Sequence, residues 1–422
     1  MSAPTGSAAP APMPPAAAAP SDRPVPAHVP PPATAPVPPG ARVVRTVGVE
    51  EELLLIDAET LQPAPVAGDI IRGPGSVDGG DAAAVTARTA DGLVPGALLE
   101  LEVKHEQIEV VSPPLRTLDE LREAVLSGRR AADRAAREVG ARAVAVATST
   151  VPCTPHAVPG PRYDRMIERY GLTMTEQLTC GFHVHVAVAS DEEGVAVLDR
   201  IRPWLPVILA LSANSPFWQG GDTAFASYRY QAWGRWPSAG AYDVHGSAAR
   251  YAASLGEMLA ADVSLDIGMV YSDARLSAHS PTVETRIADV CLVPEDAAVI
   301  AVLVRALVET AAAEWRAGIP ADDVPTALLR LATWRASRSG LDDDLLHPVT
   351  RRPCRAADAV AALREHVRDG FADDAERRAV AEGLAAVLAR GNGAARQREI
   401  MARAGSCEAV LAEIADATLG DA

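Results

Sequence analysis

The sequence predicts an α+β protein, with an antiparallel or mixed sheet carrying helices on one side. Segments of strand character dominate the first half of the 422 residues, and from Glu295 onward nearly everything has helical spacing. Simple β-α-β alternation is scarce, which argues against a doubly wound parallel sheet. The first 42 residues stand apart. Fourteen of the 34 prolines fall in Met1–Gly40, interleaved with alanine. Such a stretch has few backbone donors and little to bury, so residues 1–42 are expected to form a disordered or polyproline-like tail. Residues 43–422 are then expected to be one folded domain whose C-terminal part is helical.

Taken in order, Val43–Asp57 reads as a strand, and residues 63–96, rich in Gly, Ala and Asp, as loop with a short helix. Leu99–Val111 returns to strand character, broken near Lys104–Gln107. Thr117-Leu118-Asp119-Glu120 is a capping box that opens a helix running toward Gly140. Ala141–Thr148 alternates like a strand, and Tyr163–Gly171 looks helical. In Cys180-Gly181-Phe182-His183-Val184-His185-Val186-Ala187-Val188 apolar residues alternate with two imidazoles. That period of two marks a strand with Phe182, Val184, Val186 and Val188 in a core and both rings on the other face. Asp191–Ser212 should be a helix interrupted near Pro203 and Pro206. Asn214–Gly240 reads as a long polar-aromatic loop, and Ala274–Val290 contains a further strand.

Composition narrows the function classes. A net charge of −16 argues against a nucleic-acid partner, because phosphate contacts need clustered Lys and Arg. Five widely spaced cysteines without a C-x-x-C pair predict reduced thiols, no disulfide frame and no structural zinc. No segment offers the ~18 uninterrupted apolar residues of a membrane span, and prolines interrupt any N-terminal signal block. A cytoplasmic location is expected, with a homodimer as the default oligomeric state.

Three acidic segments accompany the His-x-His strand. In Glu50-Glu51-Glu52, period two puts Glu50 and Glu52 on one face and Glu51 on the other. Glu102 and Glu109 are seven apart, so a regular strand would set them on opposite faces unless a bulge or turn intervenes. In Thr282-Val283-Glu284-Thr285-Arg286-Ile287, Glu284 and Arg286 share a face. Taken singly, each segment also fits exposed strand charges or an ordinary salt bridge. Taken together, several carboxylates, one imidazole and an arginine suit magnesium or manganese better than zinc. No G-x-x-x-x-G-K-[ST] motif is present, so a P-loop is excluded.

Six collinear segments carry a resemblance. They are Gly48-Val49-Glu50-Glu51-Glu52, the Glu102–Glu109 segment, Cys180–Val186, Ser212-Ala213-Asn214-Ser215-Pro216-Phe217-Trp218, Ala226-Ser227-Tyr228-Arg229, and Pro281–Arg286. From about Val43 to Trp334 the chain resembles the carboxylate–amine ligases, also called type 2 glutamate–cysteine ligases. The resemblance implies a glutamine-synthetase-like fold, with a curved antiparallel sheet around the site and helices behind it. It implies that Glu50, Glu52, Glu102, Glu109, His183 and Glu284 hold Mg2+ or Mn2+ on the phosphates of ATP. By the same match Arg286 meets the γ-phosphate as a catalytic and nucleotide-binding group, and Arg229 binds the acidic substrate. His185 is left to shape the pocket. The implied chemistry is ATP-dependent amide formation through an acyl phosphate, joining glutamate or a similar acid to cysteine or another amine. Two alternatives stay open on the residues themselves: a metal-dependent hydrolase built on His183 and His185, and a non-catalytic binding protein.

Overall fold

Strand β1 (Val47–Asp57) lies at the centre of the sheet, and its sequence explains the position. Val47, Val49 and Leu53 are buried, and Leu54, Leu55 and Ile56 continue as an unbroken apolar run covered on both faces. The computed structural model describes residues 44–73 and 87–420, and Val44–Ala422 forms one compact unit. The proline-rich stretch lies outside the described residues.

After β1 the chain runs through β2 (Ala87–Arg88), β3 (Leu98–Leu101), β4 (Gln107–Val111) and β5 (Ala141–Val144). Strand β6 (Gly181–Ala187) follows, then a separate hairpin of β7 (Phe217–Trp218) and β8 (Gly221–Asp222). Strands β9 (Ala274–Leu276) and β10 (Thr282–Asp289) complete the main sheet. Its order is β2-β3-β4-β1-β6-β10-β9, with β5 paired to β1, and every pairing is antiparallel. The α+β class read from the sequence is the class observed.

Helices cover the face that carries Glu51. The helix Leu118–Arg137 opens with the expected capping box, Thr117 accepting from the Glu120 amide while Glu120 reaches back. Together with the 23-residue helix Pro294–Arg316 it lies behind the sheet. Phe182, Val184, Val186 and Val283 pack there with Val299, Leu303 and Leu307. The helix expected over Asp191–Ser212 is two, Asp191–Ile201 and Leu205–Ser212, because a proline ring cannot donate to the preceding turn.

Several expectations are corrected. Asn214–Gly240 is not simply loop, since it holds the β7–β8 hairpin and a helix, Tyr228–Trp233, capped by Ser227. The single strand expected within Ala274–Val290 is a hairpin, β9 with β10. A helix at Ala248–Ala260, capped by Ser247, was not expected. The last third contains a short hairpin of β11 (Asp344–Leu346) and β12 (Pro353–Arg355) among its helices. Each missed element is short or caps itself locally, so it leaves little periodic signal.

Candidate active site

The open face of the sheet gathers the acidic segments and the imidazoles. Antiparallel register sets Glu50 opposite His183, Glu52 opposite Glu109, and Glu109 opposite Glu100. On the other side His185 faces Glu284, and Glu284 faces Arg275 of β9. Since cross-strand partners share a face, the alternation in β1, β6 and β10 places all these side chains on one surface.

Glu50 is the hub. His183 Nδ1 lies 3.1 Å from one of its oxygens and His185 Nε2 3.1 Å from the other. His183 Nε2 is 3.8 Å from Glu52, and His185 Nε2 is 4.0 Å from Glu284. The other carboxylate oxygen of Glu52 accepts the Gly181 amide at 2.6 Å. The parity conflict between Glu102 and Glu109 is resolved by the turn. Glu102 follows the last residue of β3, and residues 102–106 carry the chain round to β4. Among the described residues three groups of potential ligand atoms result: Glu50, Glu109 and His183; Glu50, His185 and Glu284; Glu52, Glu102 and Glu109. Within each group the atoms lie within 4.8 Å of one another.

The electrostatics divide the site in two. At one end Glu284 is held by Arg275, with Nε 2.7 Å from Oε2 and Nη2 3.3 Å from Oε1, and it also accepts from Arg286. Burial opposes the charge on Glu284, but Arg286 and Arg275 hold its carboxyl far below the usual carboxylate range. Burial likewise works against Glu50, and His185 and His183 outweigh it and keep this carboxyl well below its ordinary value. At the other end the carboxylates crowd one another, and Arg286 offsets Glu102 only in part. Burial, then Glu50 and Glu102, push Glu109 well above the usual range. Burial and the neighbouring Glu52 push Glu102 up to about 7. Burial and Arg286 push His183 down, whereas Glu50 overcomes burial at His185 and raises it.

Arg229 is 2% exposed, on the helix Tyr228–Trp233. A Cβ on Gly181 would lie 2.3 Å from Arg229 Nη2 and 3.0 Å from His183 Nε2, so the guanidinium and the imidazole flank this glycine together. All eight residues singled out as site candidates therefore lie on or beside one sheet surface. Three residues were left out that the structure adds. His185 touches Glu50 as closely as His183 does. Glu100 has its carboxyl raised by burial and Glu50, and the Leu-Glu-Leu-Glu alternation at 99–102 carried its signal. Arg275 had none, because only the β9–β10 register brings it to Glu284. Cys180 is buried and belongs to none of the ligand groups found among the described residues.

Comparison with known proteins identifies the family. The family model "Glutamate-cysteine ligase family 2" matches residues 46–413. A Streptomyces avermitilis protein named "Putative glutamate--cysteine ligase 2-1" is 49% identical over 89% of this chain and 100% of its own length. A Paenarthrobacter aurescens protein of the same name is 51% identical over 86% of this chain and 92% of its own. In fold, the chain is similar to the crystal structure of glutamate–cysteine ligase from Francisella tularensis in complex with AMP. That likeness covers 90% of this chain and 89% of the other, with a TM-score of 0.60 at 13% identity. The chain belongs to glutamate–cysteine ligase family 2, and by that membership it is an ATP-dependent ligase forming a carbon–nitrogen bond.

Proposed function

We propose that this ligase activates the γ-carboxylate of glutamate with ATP and Mg2+, or Mn2+, and transfers the acyl group to an amine, with cysteine the first acceptor to test. The supporting observation is the set of three overlapping ligand groups on one sheet surface, with Arg286 at its end. The donor set fits hard divalent cations. It is mainly carboxylate oxygen with two imidazoles, and Glu102 and Glu109 are packed together with Glu52, their charge only partly offset by Arg286. Glu50, Glu52, Glu102, Glu109, His183 and Glu284 would hold the ions, and His185 joins them through Glu50 and Glu284. Bound there, the ions would offset charge on the ATP phosphates.

The remaining work falls to the chain's own side chains. Arg286 is anchored by Glu284, and its buried Nε has no hydrogen-bond partner among the described residues. It is suited to the charge that builds on the γ-phosphoryl group as a glutamate oxygen attacks phosphorus and ADP departs. Arg229 takes the carboxylate of the acid, since a planar guanidinium presents paired donors to a planar acceptor. The amine then attacks the acyl carbon of the acyl phosphate, phosphate leaves, and the amine loses a proton. Burial of the cluster strengthens each of these interactions by excluding water.

The reading extends to three further points. Residues 43–422 act as one catalytic domain, supported by the compactness of Val44–Ala422. The location is cytoplasmic, supported by five free cysteines and by the absence, among the described residues, of a helix long and apolar enough to cross a membrane. The working assembly is a homodimer, which light scattering tests. The activity is tested by ADP release with ATP and Mg2+ across a panel of amino acids. Release that needs both glutamate and an amine is expected; turnover of neither, or zinc-dependent hydrolysis without ATP, would remove the reading.

A further inference from the structure

Two of the six collinear segments, Ser212–Trp218 and Ala226–Arg229, contribute only Arg229 to the ligase reading. Three of their other polar residues, Asn214, Ser215 and Ser227, converge on one atom group, the carboxylate of Asp289 at the end of β10. Asp289 is fully buried. Its Oδ2 accepts the Ser215 hydroxyl at 2.7 Å and the Asn214 amide at 2.9 Å, and its Oδ1 accepts the Ser227 hydroxyl at 2.8 Å. Those same groups build the start of the helix that bears Arg229. Ser215 Oγ accepts the Arg229 amide at 3.0 Å, and Ser227 Oγ caps the helix through the Tyr230 amide. Asn214 is fixed in turn from the C-terminal helices, where Gln397 donates to its backbone and side-chain oxygens at 2.8 and 2.7 Å.

The distance from Asp289 to Arg229 is the telling feature. Oδ1 lies 3.9 Å from Arg229 Nη1, within reach of charge but too far for a hydrogen bond. With three donors already on the carboxylate, Asp289 supplies a counter-charge without occupying the guanidinium. The guanidinium itself is weakly committed. Within the described residues its hydrogen bonds run to the Ile287 and Arg286 carbonyls at 3.4 and 3.3 Å, and its buried Nε has no partner there. A buried cation held this loosely has donors left for an anion.

We propose that Asp289 is the positioning residue of Arg229, a buried counter-charge that fixes the helix carrying Arg229 while leaving its N–H donors free for the carboxylate of the acidic substrate. This rests on the reading of Arg229 as the group that binds that acid. The serine and asparagine contacts explain how an aspartate can stand here as an anion without a direct ion pair: the three donors satisfy its oxygens, and the guanidinium offsets its charge at a distance.

Steady-state ADP release with L-glutamate, cysteine, ATP and Mg2+ tests it, using the full chain and the variants Asp289→Asn, Arg229→Ala and the two combined. The amide keeps the network foldable because both serine hydroxyls can donate or accept. In Asp289→Asn the KM for glutamate should rise roughly ten- to hundredfold, the worth of hydrogen bonds to a charged group, with the KM for ATP unchanged within about twofold. In the Arg229→Ala background Asp289→Asn should add nothing further. If Asp289→Asn does not fold, Ser215→Ala removes one donor to Asp289 and the anchor of the Arg229 amide, and should raise the same KM. An unchanged glutamate KM in Asp289→Asn beside a raised one in Arg229→Ala overturns the positioning role alone. An unchanged glutamate KM in Arg229→Ala, or no glutamate-dependent release by the wild type, removes the substrate reading and this inference with it.

Discussion

Glu51 and Arg129 form a two-pronged ion pair on the helix-covered face of β1, with Nη2 2.6 Å from Oε1 and Nε 3.0 Å from Oε2. Neither side chain has meaningful solvent access. Arg129 also donates to the Cys291 and Leu292 carbonyls, 2.6 and 2.8 Å away, just before the helix Pro294–Arg316. Thus, in a run of three glutamates, the outer two face the site while the middle one ties the sheet to its helices. Arg129→Ala is expected to destabilise by about 3–5 kcal/mol, because it strands a buried carboxylate. Combining Glu51→Leu with Arg129→Met should recover part of the loss, the rest reflecting the two carbonyls left unpaired. Urea unfolding of the three proteins measures this, and a loss under about 1 kcal/mol for Arg129→Ala would contradict a buried pair.

Removing the Glu284 charge should abolish most turnover. Its carboxylate joins Arg275, Arg286 and the His185 end of the cluster. Glu284→Gln is expected to lower the rate of ADP release by roughly 10²–10³-fold, the usual scale for a lost electrostatic group at a reacting centre. Full activity in that variant would refute the site assignment.

Metal binding should follow membership in the three ligand groups. Glu50 and Glu109 each belong to two groups, whereas His185 belongs to one. Titration of Mn2+ followed by electron paramagnetic resonance should show Glu50→Gln and Glu109→Gln weakening binding more than His185→Ala does. A loss of at least about tenfold is expected for the shared ligands. Wild-type Mn2+ binding by Glu50→Gln would argue that the cluster holds no ion.

Asp273 gives a pH-dependent prediction outside the ligand groups. It is 4% exposed, bonded to the Tyr230 hydroxyl at 3.2 Å, and burial raises its carboxyl to about 7. An acid whose pKa is raised by folding adds stability that is complete below its unfolded value, near 4, and is lost as pH rises through about 7. The wild type should therefore lose on the order of a few kcal/mol from this group between about pH 4 and 7. Asp273→Asn should show a flatter dependence of melting temperature on pH over that interval. Parallel profiles for the two proteins would place the titration elsewhere.

Much of the site was legible because parity along a strand is a local property. Glu50 with Glu52, His183 with His185, and Glu284 with Arg286 could be assigned to a common face from alternation alone, and the structure has them so. The helix from Thr117 and the break before Leu205 were equally local, resting on a capping box and a proline. The buried run Leu53–Ile56 is different, since covering from both sides erases the alternation that a reader relies on.

What the sequence by itself determined was the class of fold, the face on which each charged residue stands, and a pattern of motifs specific enough to indicate the family. The tertiary structure decided which faces meet. The β3–β4 turn brings Glu102 to Glu109, the β9–β10 register brings Arg275 to Glu284, and the helix start at Ser227 carries Arg229 to Gly181 and His183. Strand pairing and loop closure join residues far apart in the chain, and no spacing within one segment encodes them. The His-x-His strand shows the difference: alternation put both rings on the site face, and only register showed both to be partners of Glu50.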